Sequence, residues 1–307
     1  MPSRLVLALG GNALIQPGER GTVPEQLARA FVVAELLASL PEDTQLVVTH
    51  GNGPQVGRIL LRSDLCLSED VPPIPVDLAV AATQGEIGLM LQQALTTALA
   101  RPVTGVLSRV LVDSEDPDFQ SPSKYIGPFY VEDEARLRAH TLGWTVKEDP
   151  GRGWRRVVPS PKPLEVLDLA AVRLLLEAGH VVLACGGGGV PFVDFHGRRT
   201  PVEAVVDKDR ASALLANQLD ADELVILTGV DEVMVDFGTP QARALREVDA
   251  ASLRAHYEAG QFPAGSMGPK VEAVLDFLER GGPSALITSP RSFADALAGR
   301  RGTRVHP

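Results

Sequence analysis

Several features that identify other classes of protein are scarce or missing in this chain of 307 residues. The two cysteines, Cys66 and Cys185, lie far apart and outside any CxxC motif, so we expect neither a disulfide framework nor a structural zinc site. No apolar run approaches the roughly 20 residues that a membrane-spanning helix needs. The formal net charge of −10 argues against general binding of nucleic acid. These absences predict a cytoplasmic protein without a membrane or nucleic-acid partner.

Lysine is also rare, since five of the 29 basic residues are lysine and arginine fills the other positions. The lysines are Lys124, Lys147, Lys162, Lys208 and Lys270. Where arginine is so strongly preferred, a remaining lysine is a mild indication of a site that needs a compact ammonium group instead of a planar guanidinium group. Chance placement of any one of them is the open alternative.

Short aliphatic runs alternate with helical periodicity along most of the chain. The runs predict strands at 5–9, 46–50, 103–112, 180–185, 224–228 and 285–288. The periodic segments predict helices at 25–40, 77–100, 164–178, 207–219, 250–259 and 269–280. Strands that are apolar on both faces suit a parallel sheet covered by helices on each side. The pattern therefore predicts a doubly wound α/β fold that binds ligands beyond the carboxyl ends of its strands.

Residues 114–157 interrupt this alternation with a segment rich in proline, glycine and aromatic residues. Six of the 14 aromatic residues lie there: Phe119, Tyr125, Phe129, Tyr130, Trp144 and Trp154. So many aromatic side chains need something to pack against, so we predict a small protruding lobe or lid on a single domain that spans 1–307. An ordinary long surface loop is the alternative.

Phosphate-binding signatures of the common kinds are missing, since neither GxxxxGK[ST] nor GxGxxG after a strand is present. Glycine-containing turns instead follow predicted strands at 7–14, 48–57, 184–191 and 227–231. Such turns let backbone N–H groups approach an anion. The first two also contain asparagine, Asn12 beside Gly11 and Asn52 between Gly51 and Gly53, which adds amide donors without net charge. Any single turn could equally be a tight connection.

Two of the lysines lie at the beginning of predicted helices. Lys208 lies between Asp207 and Asp209, and Lys270 begins the helix near the C-terminus. A cation is unfavourable at the positive end of a helix dipole, so we expect an anion to share the site. With Lys124 from the lobe, these groups suit phosphoryl transfer without a covalent nucleophile. The alternative is that Asp207 caps the helix and Lys208 is solvated.

At these residues the chain resembles the carbamate kinases of the amino acid kinase family over nearly its whole length. The segments that carry the resemblance occur in order: LALGGNAL (7–14), HGNGPQVG (50–57), TQGEIG (83–88), KYIGPFY (124–130), KEDPGRGWRRVVPSPKP (147–163), CGGGGVP (185–191), VEAVVDKD (202–209), VILTGVD (225–231) and GSMGPK (265–270). The segments at 147–163 and 185–191 are the most specific of them. Tyr125 departs from the family pattern, which usually has proline there, and the basic tail after 290 resembles nothing in it.

The resemblance implies a reversible, Mg²⁺-dependent transfer between ATP and carbamate that gives ADP and carbamoyl phosphate, used in arginine catabolism to form ATP. It also implies a three-layer α/β/α sandwich around a mainly parallel eight-stranded sheet, with a protruding subdomain, assembled as a homodimer. Three alternative hypotheses for the function remain. They are a kinase of the same fold with a different carboxylate or phosphate acceptor, a nucleotide-binding regulator without catalytic activity, and an NAD-dependent dehydrogenase. The missing dinucleotide signature counts against the dehydrogenase.

Individual residues receive roles from the same resemblance. Two turns would hold the transferred phosphate and the carbamate: Gly10, Gly11 and Asn12, and Gly51, Asn52 and Gly53. Four residues would be catalytic: Lys124, Lys208 and Lys270, which would act on the phosphate groups, and Asp209, which would organise the lysines and the metal. The nucleotide would lie against Asp207, Thr228, Gly229, Asp231 and Met267. No separate metal-binding residue is predicted.

Overall fold

The computed structural model of the chain describes residues 3–10, 14–15, 18–66, 70–263 and 265–307. The helices of these residues are α1 (Val23–Leu37), α2 (Gln55–Leu65), α3 (Val76–Leu99), α4 (Glu132–Leu142), α5 (Leu169–Glu177), α6 (Lys208–Gln218), α7 (Ala250–Glu258), α8 (Gly268–Glu279) and α9 (Phe293–Leu297). The strands are β1 (Arg4–Leu9), β2 (Gln45–His50), β3 (Val103–Gly105), β4 (Arg109–Val112), β5 (Lys124–Tyr130), β6 (Thr145–Asp149), β7 (Gly153–Val158), β8 (Pro163–Val166), β9 (Val181–Leu183), β10 (Val190–Phe195), β11 (Arg198–Pro201), β12 (Glu223–Leu227), β13 (Val233–Val235), β14 (Arg243–Leu245), β15 (Glu247–Asp249), β16 (Ala285–Thr288) and β17 (Thr303–His306). None of the helices within these ranges has the length and apolar composition required to cross a membrane.

Eight strands form the central sheet, in the order β15-β17-β16-β12-β1-β2-β9-β3. The strands from β16 to β3 all run parallel, whereas β17 is antiparallel to β16. The carboxyl ends of β1, β2, β9, β12 and β16 therefore meet at one edge of the sheet. The mainly parallel sheet that the sequence predicts is confirmed.

Alternate residues of β1 show how the helices cover both faces of this sheet. Leu5, Leu7 and Leu9 belong to one apolar cluster, which also contains side chains from α1, α3 and α9. Val6 and Ala8 belong to another, which contains side chains from α5, α6, α7 and α8. Since a strand directs successive side chains to opposite faces, these two cores lie on opposite sides of the sheet. The three-layer α/β/α arrangement is confirmed.

Two of the predicted elements are wrong in detail. The run 103–112 forms two strands in different sheets. Its first part, β3, pairs with β9, and the hydrogen bond from the Val106 N–H to the Leu183 carbonyl is the last between them. Its second part, β4, belongs to the four-stranded sheet β11-β10-β4-β8. The helix predicted at 164–178 begins only at Leu169, because residues 163–166 pair with β4 as β8. Helix α2 has no counterpart among the predicted elements. In each case pairing or packing decided the outcome, and periodicity alone does not reveal it.

Residues 124–158 contain a separate antiparallel sheet, β5-β7-β6, with α4 packed against it. Arginines stack on its aromatic rings: the Arg138 guanidinium lies 4.7 Å from the Tyr130 ring centroid, and that of Arg156 lies 5.1 Å from the Trp144 ring centroid. The aromatic residues therefore pack largely against cations, which suits a lobe too small for a large apolar core of its own. We call residues 124–158 the lobe below.

The lobe approaches the rest of the protein closely at two glycines. Gly57 lies in α2, and a Cβ atom added to it would lie 2.6 Å from the Gly127 Cα atom of β5. Real Cβ atoms are not found so close to a backbone atom. Glycine at position 57 therefore lets helix and strand backbones touch, at the cost of a poor helix former inside α2.

We predict that Gly57→Ala destabilises the protein by about 1–3 kcal/mol, because the added methyl group overpacks the contact between α2 and β5. Gly85→Ala is the matched control, since Gly85 is also a helix glycine and a Cβ there meets no described atom within 4 Å. In Gly85→Ala the free energy of unfolding should rise by up to about 1 kcal/mol, because alanine has a higher helix propensity than glycine. Urea unfolding of both variants measures this, and equal effects would contradict the close approach.

Strand β2 ends in a fully buried histidine. The Nδ1 atom of His50 lies 3.0 Å from the Gly51 carbonyl oxygen. Burial removes water from the ring, and the ammonium of Lys208 adds repulsion, so the pKa of His50 falls from 6.5 to about 4 although its bond to Gly51 acts in the opposite direction. His50 is therefore neutral in the folded protein at neutral pH.

This buried histidine predicts a loss of stability in mild acid. Below pH 6.5 the unfolded chain binds a proton that the folded chain does not bind until about pH 4. The free energy of unfolding should therefore fall by roughly 3 kcal/mol from this group as the pH decreases through that window. His50→Gln should flatten the pH dependence of urea unfolding between pH 7 and 4. Equal slopes in the wild type and His50→Gln would refute this account.

Candidate active site

Hydrogen bonds between neighbouring turns tie together the carboxyl edge of the central sheet. The Gly51 N–H bonds the Leu9 carbonyl at 3.3 Å, and the Gly10 N–H bonds the Leu227 carbonyl at 3.0 Å. A Cβ added at Gly10 would lie 2.9 Å from that carbonyl oxygen, so the close approach requires glycine. The turns after β1, β2 and β12 therefore form one continuous surface, as expected for the ligand-binding edge of a doubly wound sheet.

Helix α6 begins at this edge with two charged residues that are largely buried, Lys208 and Asp209. Asp207 is the N-cap residue, and its Oδ1 atom accepts hydrogen bonds from the N–H groups of Asp209 at 2.9 Å and Arg210 at 3.5 Å. The first turn is anchored to β2, because the Ser212 hydroxyl lies 2.6 Å from the Thr49 hydroxyl and 2.6 Å from the Lys208 carbonyl oxygen. These hydrogen bonds fix the start of the helix.

Asp209 forms ion pairs with two lysines from different helices. The Lys208 ammonium pairs with Asp209 Oδ1, and the Lys270 ammonium, from the first turn of α8, lies 3.3 Å from Oδ2. Lys270 also donates to the Ser266 carbonyl at 3.2 Å. One buried carboxylate thus holds two ammonium groups near each other, an arrangement that suits a phosphate group.

The third lysine comes from the lobe. Lys124, the first residue of β5, places its Nζ atom 2.6 Å from Asp207 Oδ2. Burial of Asp207 opposes its ionisation, but the nearby ammonium of Lys124, followed by that of Lys208, outweighs burial, so the pKa of Asp207 lies below its ordinary value of 3.8. Asp207 therefore joins the lobe to the start of α6, in addition to its role as helix cap.

The structure separates these three lysines from the other two. Lys147 donates to the Pro122 carbonyl at 2.7 Å, and Lys162 lies 3.9 Å from Glu272 with most of its side chain exposed. The cluster formed by Lys124, Lys208, Lys270, Asp207 and Asp209 has three positive charges against two negative charges. We call these five residues the lysine–aspartate cluster. Its excess positive charge suits a bound anion.

Asn52 contacts the protein itself through its side-chain amide. Its Nδ2 atom donates to the Gly187 carbonyl at 3.2 Å, and its Oδ1 atom accepts from the Thr83 hydroxyl at 2.5 Å. Gly187 has a φ of 65°, and a Cβ there would lie 2.0 Å from Asn52 Oδ1. Asn52 therefore clamps the glycine run after β9 against the turn after β2. Sequence reasoning missed the supporting residues Thr83 and Ser212, although Ser212 follows Lys208 at helical spacing.

Other predicted site residues lie at the same edge or outside the described part of the chain. Gly11 and Asn12 are outside the described residues. Gly53 has a φ of 55°, which glycine adopts readily. Thr228 donates its N–H to the Thr288 carbonyl at 2.8 Å, and Gly229 follows it on the open surface.

Asp231 and Met267, two residues expected at the nucleotide, have different surroundings. Asp231 accepts hydrogen bonds from Arg291 at 2.9 Å and from Ser289, and these bonds hold its pKa well below the ordinary range. Met267 precedes α8 and packs partly against the core. Asp231 follows the carboxyl end of β12, and Met267 directly precedes α8. Their role in nucleotide binding stays a prediction.

The lysine–aspartate cluster has the chemistry of an anion site. Within the described ranges, no group of three His, Cys, Asp or Glu side chains could hold a metal ion by itself. Both carboxylates of the cluster are already paired with ammonium groups. Fixed positive charges at two helix starts can stabilise the charge that develops on a phosphoryl group during its transfer.

Comparison with known proteins agrees with this chemistry. Residues 3–289 match the amino acid kinase family. The carbamate kinase of Pyrococcus horikoshii is 45% identical over 314 aligned residues, which cover 100% of both chains. The carbamate kinase from Giardia lamblia bound to AMP-PNP is 37% identical with a TM-score of 0.92, over 99% of this chain and 98% of that one. A solved chain from Aeropyrum pernix K1 is 43% identical with a TM-score of 0.91, over 99% of both. The protein is a kinase, and the chain belongs to the amino acid kinase family.

Proposed function

We propose that this protein is a carbamate kinase, which transfers a phosphoryl group reversibly between ATP and carbamate and gives ADP and carbamoyl phosphate. The lysine–aspartate cluster is the observation that carries the proposal, because its three ammonium groups come from three separate elements and meet at the carboxyl edge of the sheet. The names of the similar proteins support carbamate as the acceptor.

In the forward direction, a carboxylate oxygen of carbamate attacks the γ-phosphorus of ATP, and the bond from that phosphorus to the β,γ-bridging oxygen breaks. Lys208 and Lys270 face the negative charge of the phosphate groups, and Asp209 holds both ammonium groups in place. In the reverse direction, a β-phosphate oxygen of ADP attacks the phosphorus of carbamoyl phosphate. No protein nucleophile is needed in either direction.

Mg²⁺ fits this site as an ion that enters with the nucleotide. It commonly keeps several waters and is bound by substrate phosphates with one or two carboxylates. Asp209 is the carboxylate placed to orient such a complex, although both its oxygens already accept from lysines. When bound, Mg²⁺ would neutralise part of the phosphate charge.

The lobe acts in this proposal as a lid on a single domain of 1–307. Lys124 belongs to the lobe and reaches Asp207 at the start of α6, so movement of the lobe would bring or withdraw one ammonium group. A closed site would exclude the water that hydrolyses carbamoyl phosphate. The family resemblance further supports a cytoplasmic homodimer that forms ATP during arginine catabolism.

The direct test is ATP formation from ADP, Mg²⁺ and fresh carbamoyl phosphate, coupled to hexokinase. We expect rapid turnover with carbamoyl phosphate and much slower turnover with acetyl phosphate. ADP binding is measured in parallel by calorimetry. ADP binding without turnover would reject the proposal and favour a silent regulator or a kinase with another acceptor.

We predict that Lys124→Ala lowers kcat/KM for carbamoyl phosphate by at least ~10²-fold, because one ammonium group contributes ~3 kcal/mol of transition-state stabilisation. The affinity for ADP should change much less, since Lys208 and Lys270 remain. Lys147→Ala is the matched control, because Lys147 belongs to the same lobe and its ammonium bonds a backbone carbonyl outside the cluster. A near-normal rate for Lys124→Ala would remove this residue from the mechanism.

A further inference from the structure

A short stem joins the lobe to the rest of the protein. Residues 113–123 run outward from β4 to β5, and residues 159–162 return from β7 to β8. At one end of the stem β4 pairs with β8, and at the other end Lys124 of β5 pairs with Val158 of β7. Because Lys124 is the first residue beyond the outgoing half, the stem determines where the backbone of this lysine lies.

The returning half of the stem has few backbone donors. Its sequence is Pro-Ser-Pro-Lys, and proline lacks an N–H group, so Ser160 and Lys162 carry the two that it has. The Ser160 N–H donates to Asp118 Oδ2, on the outgoing half. The Lys162 N–H donates in the same way to Asp116 Oδ2 at 2.9 Å. Two carboxylates thus join the halves of the stem where proline interrupts backbone pairing.

Asp118 also bonds the residue that precedes Lys124. The same Oδ2 atom accepts a hydrogen bond from the hydroxyl of Ser123 at 3.0 Å. Asp116 supports this arrangement, since its Oδ1 atom accepts from the Asp118 N–H at 2.9 Å. One oxygen of Asp118 therefore connects the returning half to the neighbour of Lys124. We call Asp118 with its two donors, Ser123 and Ser160, the stem clamp.

Both halves of the stem also contact the part of the protein that carries the lysine–aspartate cluster. Phe119 packs against the apolar core to which α6 and α8 belong. The Pro159 carbonyl accepts from the Val205 N–H at 2.9 Å, and Val205 lies two residues before Asp207. Asp207 is the ion-pair partner of Lys124. The stem clamp therefore lies between the two backbone segments that carry this ion pair.

The ion pair does not by itself define the position of Lys124. A lysine side chain is long and flexible, so it can form the same pair from several positions of its backbone. Stabilisation of a transferring phosphoryl group requires charge in a fixed place. A displacement of about 1 Å can lower the rate of an enzymatic reaction by roughly 10²-fold. A group that fixes the backbone beside Lys124 therefore affects the rate.

We propose that Asp118 is a positioning residue for the reaction, which sets the place of the Lys124 ammonium group beside Asp207 through the stem clamp. This inference rests on the proposed function, in which Lys124 stabilises the transferred phosphoryl group. Asp118 itself acts through Ser123 and Ser160 and touches neither substrate.

The first test compares two substitutions of Asp118. Asp118→Ala removes the stem clamp, whereas Asp118→Asn keeps an amide oxygen that can accept both hydrogen bonds. We expect kcat/KM for carbamoyl phosphate to fall about tenfold or more in Asp118→Ala and to stay within about threefold of the wild type in Asp118→Asn. The Kd of ADP, measured by calorimetry, should change less than about threefold in both, since Lys208 and Lys270 lie on helices outside the stem.

Asp113→Ala is the matched control. Asp113 lies in the same outgoing half, but its carboxylate accepts from the Glu115 N–H at 2.9 Å, two residues along the chain. This bond does not cross to the returning half. We therefore expect kcat/KM of Asp113→Ala to stay within about twofold of the wild type.

A double-mutant cycle distinguishes positioning of Lys124 from a general structural role. If Asp118 acts through Lys124, adding Asp118→Ala to Lys124→Ala should lower kcat/KM by less than about twofold more. A further tenfold loss in that background would overturn the inference, because the two residues would then act independently. A normal kcat/KM in Asp118→Ala, or a full loss in Asp118→Asn, would overturn it as well.

Hydrogen exchange tests the stem clamp without turnover. In Asp118→Ala the Ser160 N–H loses its acceptor, so peptides that contain it should exchange faster than in the wild type and in Asp113→Ala. Unchanged exchange would overturn the inference. If Asp118→Ala fails to fold in circular dichroism, Ser123→Ala removes one bond of the clamp, and we then expect a loss of about threefold that disappears in the Lys124→Ala background.

The wild type gives the separate test of the proposed function. A wild type that binds ADP without using carbamoyl phosphate would reject that function before any variant is compared. The exchange of the Ser160 N–H in Asp118→Ala would still decide whether the stem clamp exists.

Discussion

The site depends on the neutralisation of three ammonium groups by two aspartates. Like charges brought together at the edge of a sheet repel each other, and burial makes this more costly. Asp209 offsets the repulsion between Lys208 and Lys270, and Asp207 holds Lys124. Because Asp207 and Asp209 are joined through the Asp209 N–H, the two ion-paired groups form one unit at the start of α6. The excess positive charge that remains is available for phosphate.

The parallel sheet makes this unit possible. Parallel strands bring their carboxyl ends to one edge, so turns distant in sequence come together there. Glycine at positions 10 and 187 permits the approach, since a Cβ at either would collide with a neighbouring turn. The site is therefore assembled from short turns at the ends of the strands, with one further ammonium group from the lobe, that of Lys124. Fixed charges of this kind suit the stabilisation of a phosphoryl group during its transfer.

The sequence predicted the layers of the fold well because strands such as β1 are apolar on both faces and the helices carry one apolar stripe. It was wrong where pairing decided the outcome. The run 103–112 is rich in aliphatic residues, yet its two halves belong to different sheets, and Leu164 fits a helical stripe but lies in β8. Asn52 shows the same limit at the site. An asparagine in a glycine turn suggests a side chain that donates to a bound ligand, whereas the Asn52 amide donates to the Gly187 carbonyl of the protein itself.

The sequence by itself determined the kind of chemistry: the scarce lysines, the glycine turns and the alternation of strands and helices already indicated an anion site on a parallel sheet. Only the tertiary structure decided which groups share a partner. Lys270 and Asp209 are 61 residues apart, and Lys124 and Asp207 are 83 apart, and no local pattern encodes those pairings. Local sequence fixes residue type and periodicity, whereas distances between side chains depend on how the whole chain packs.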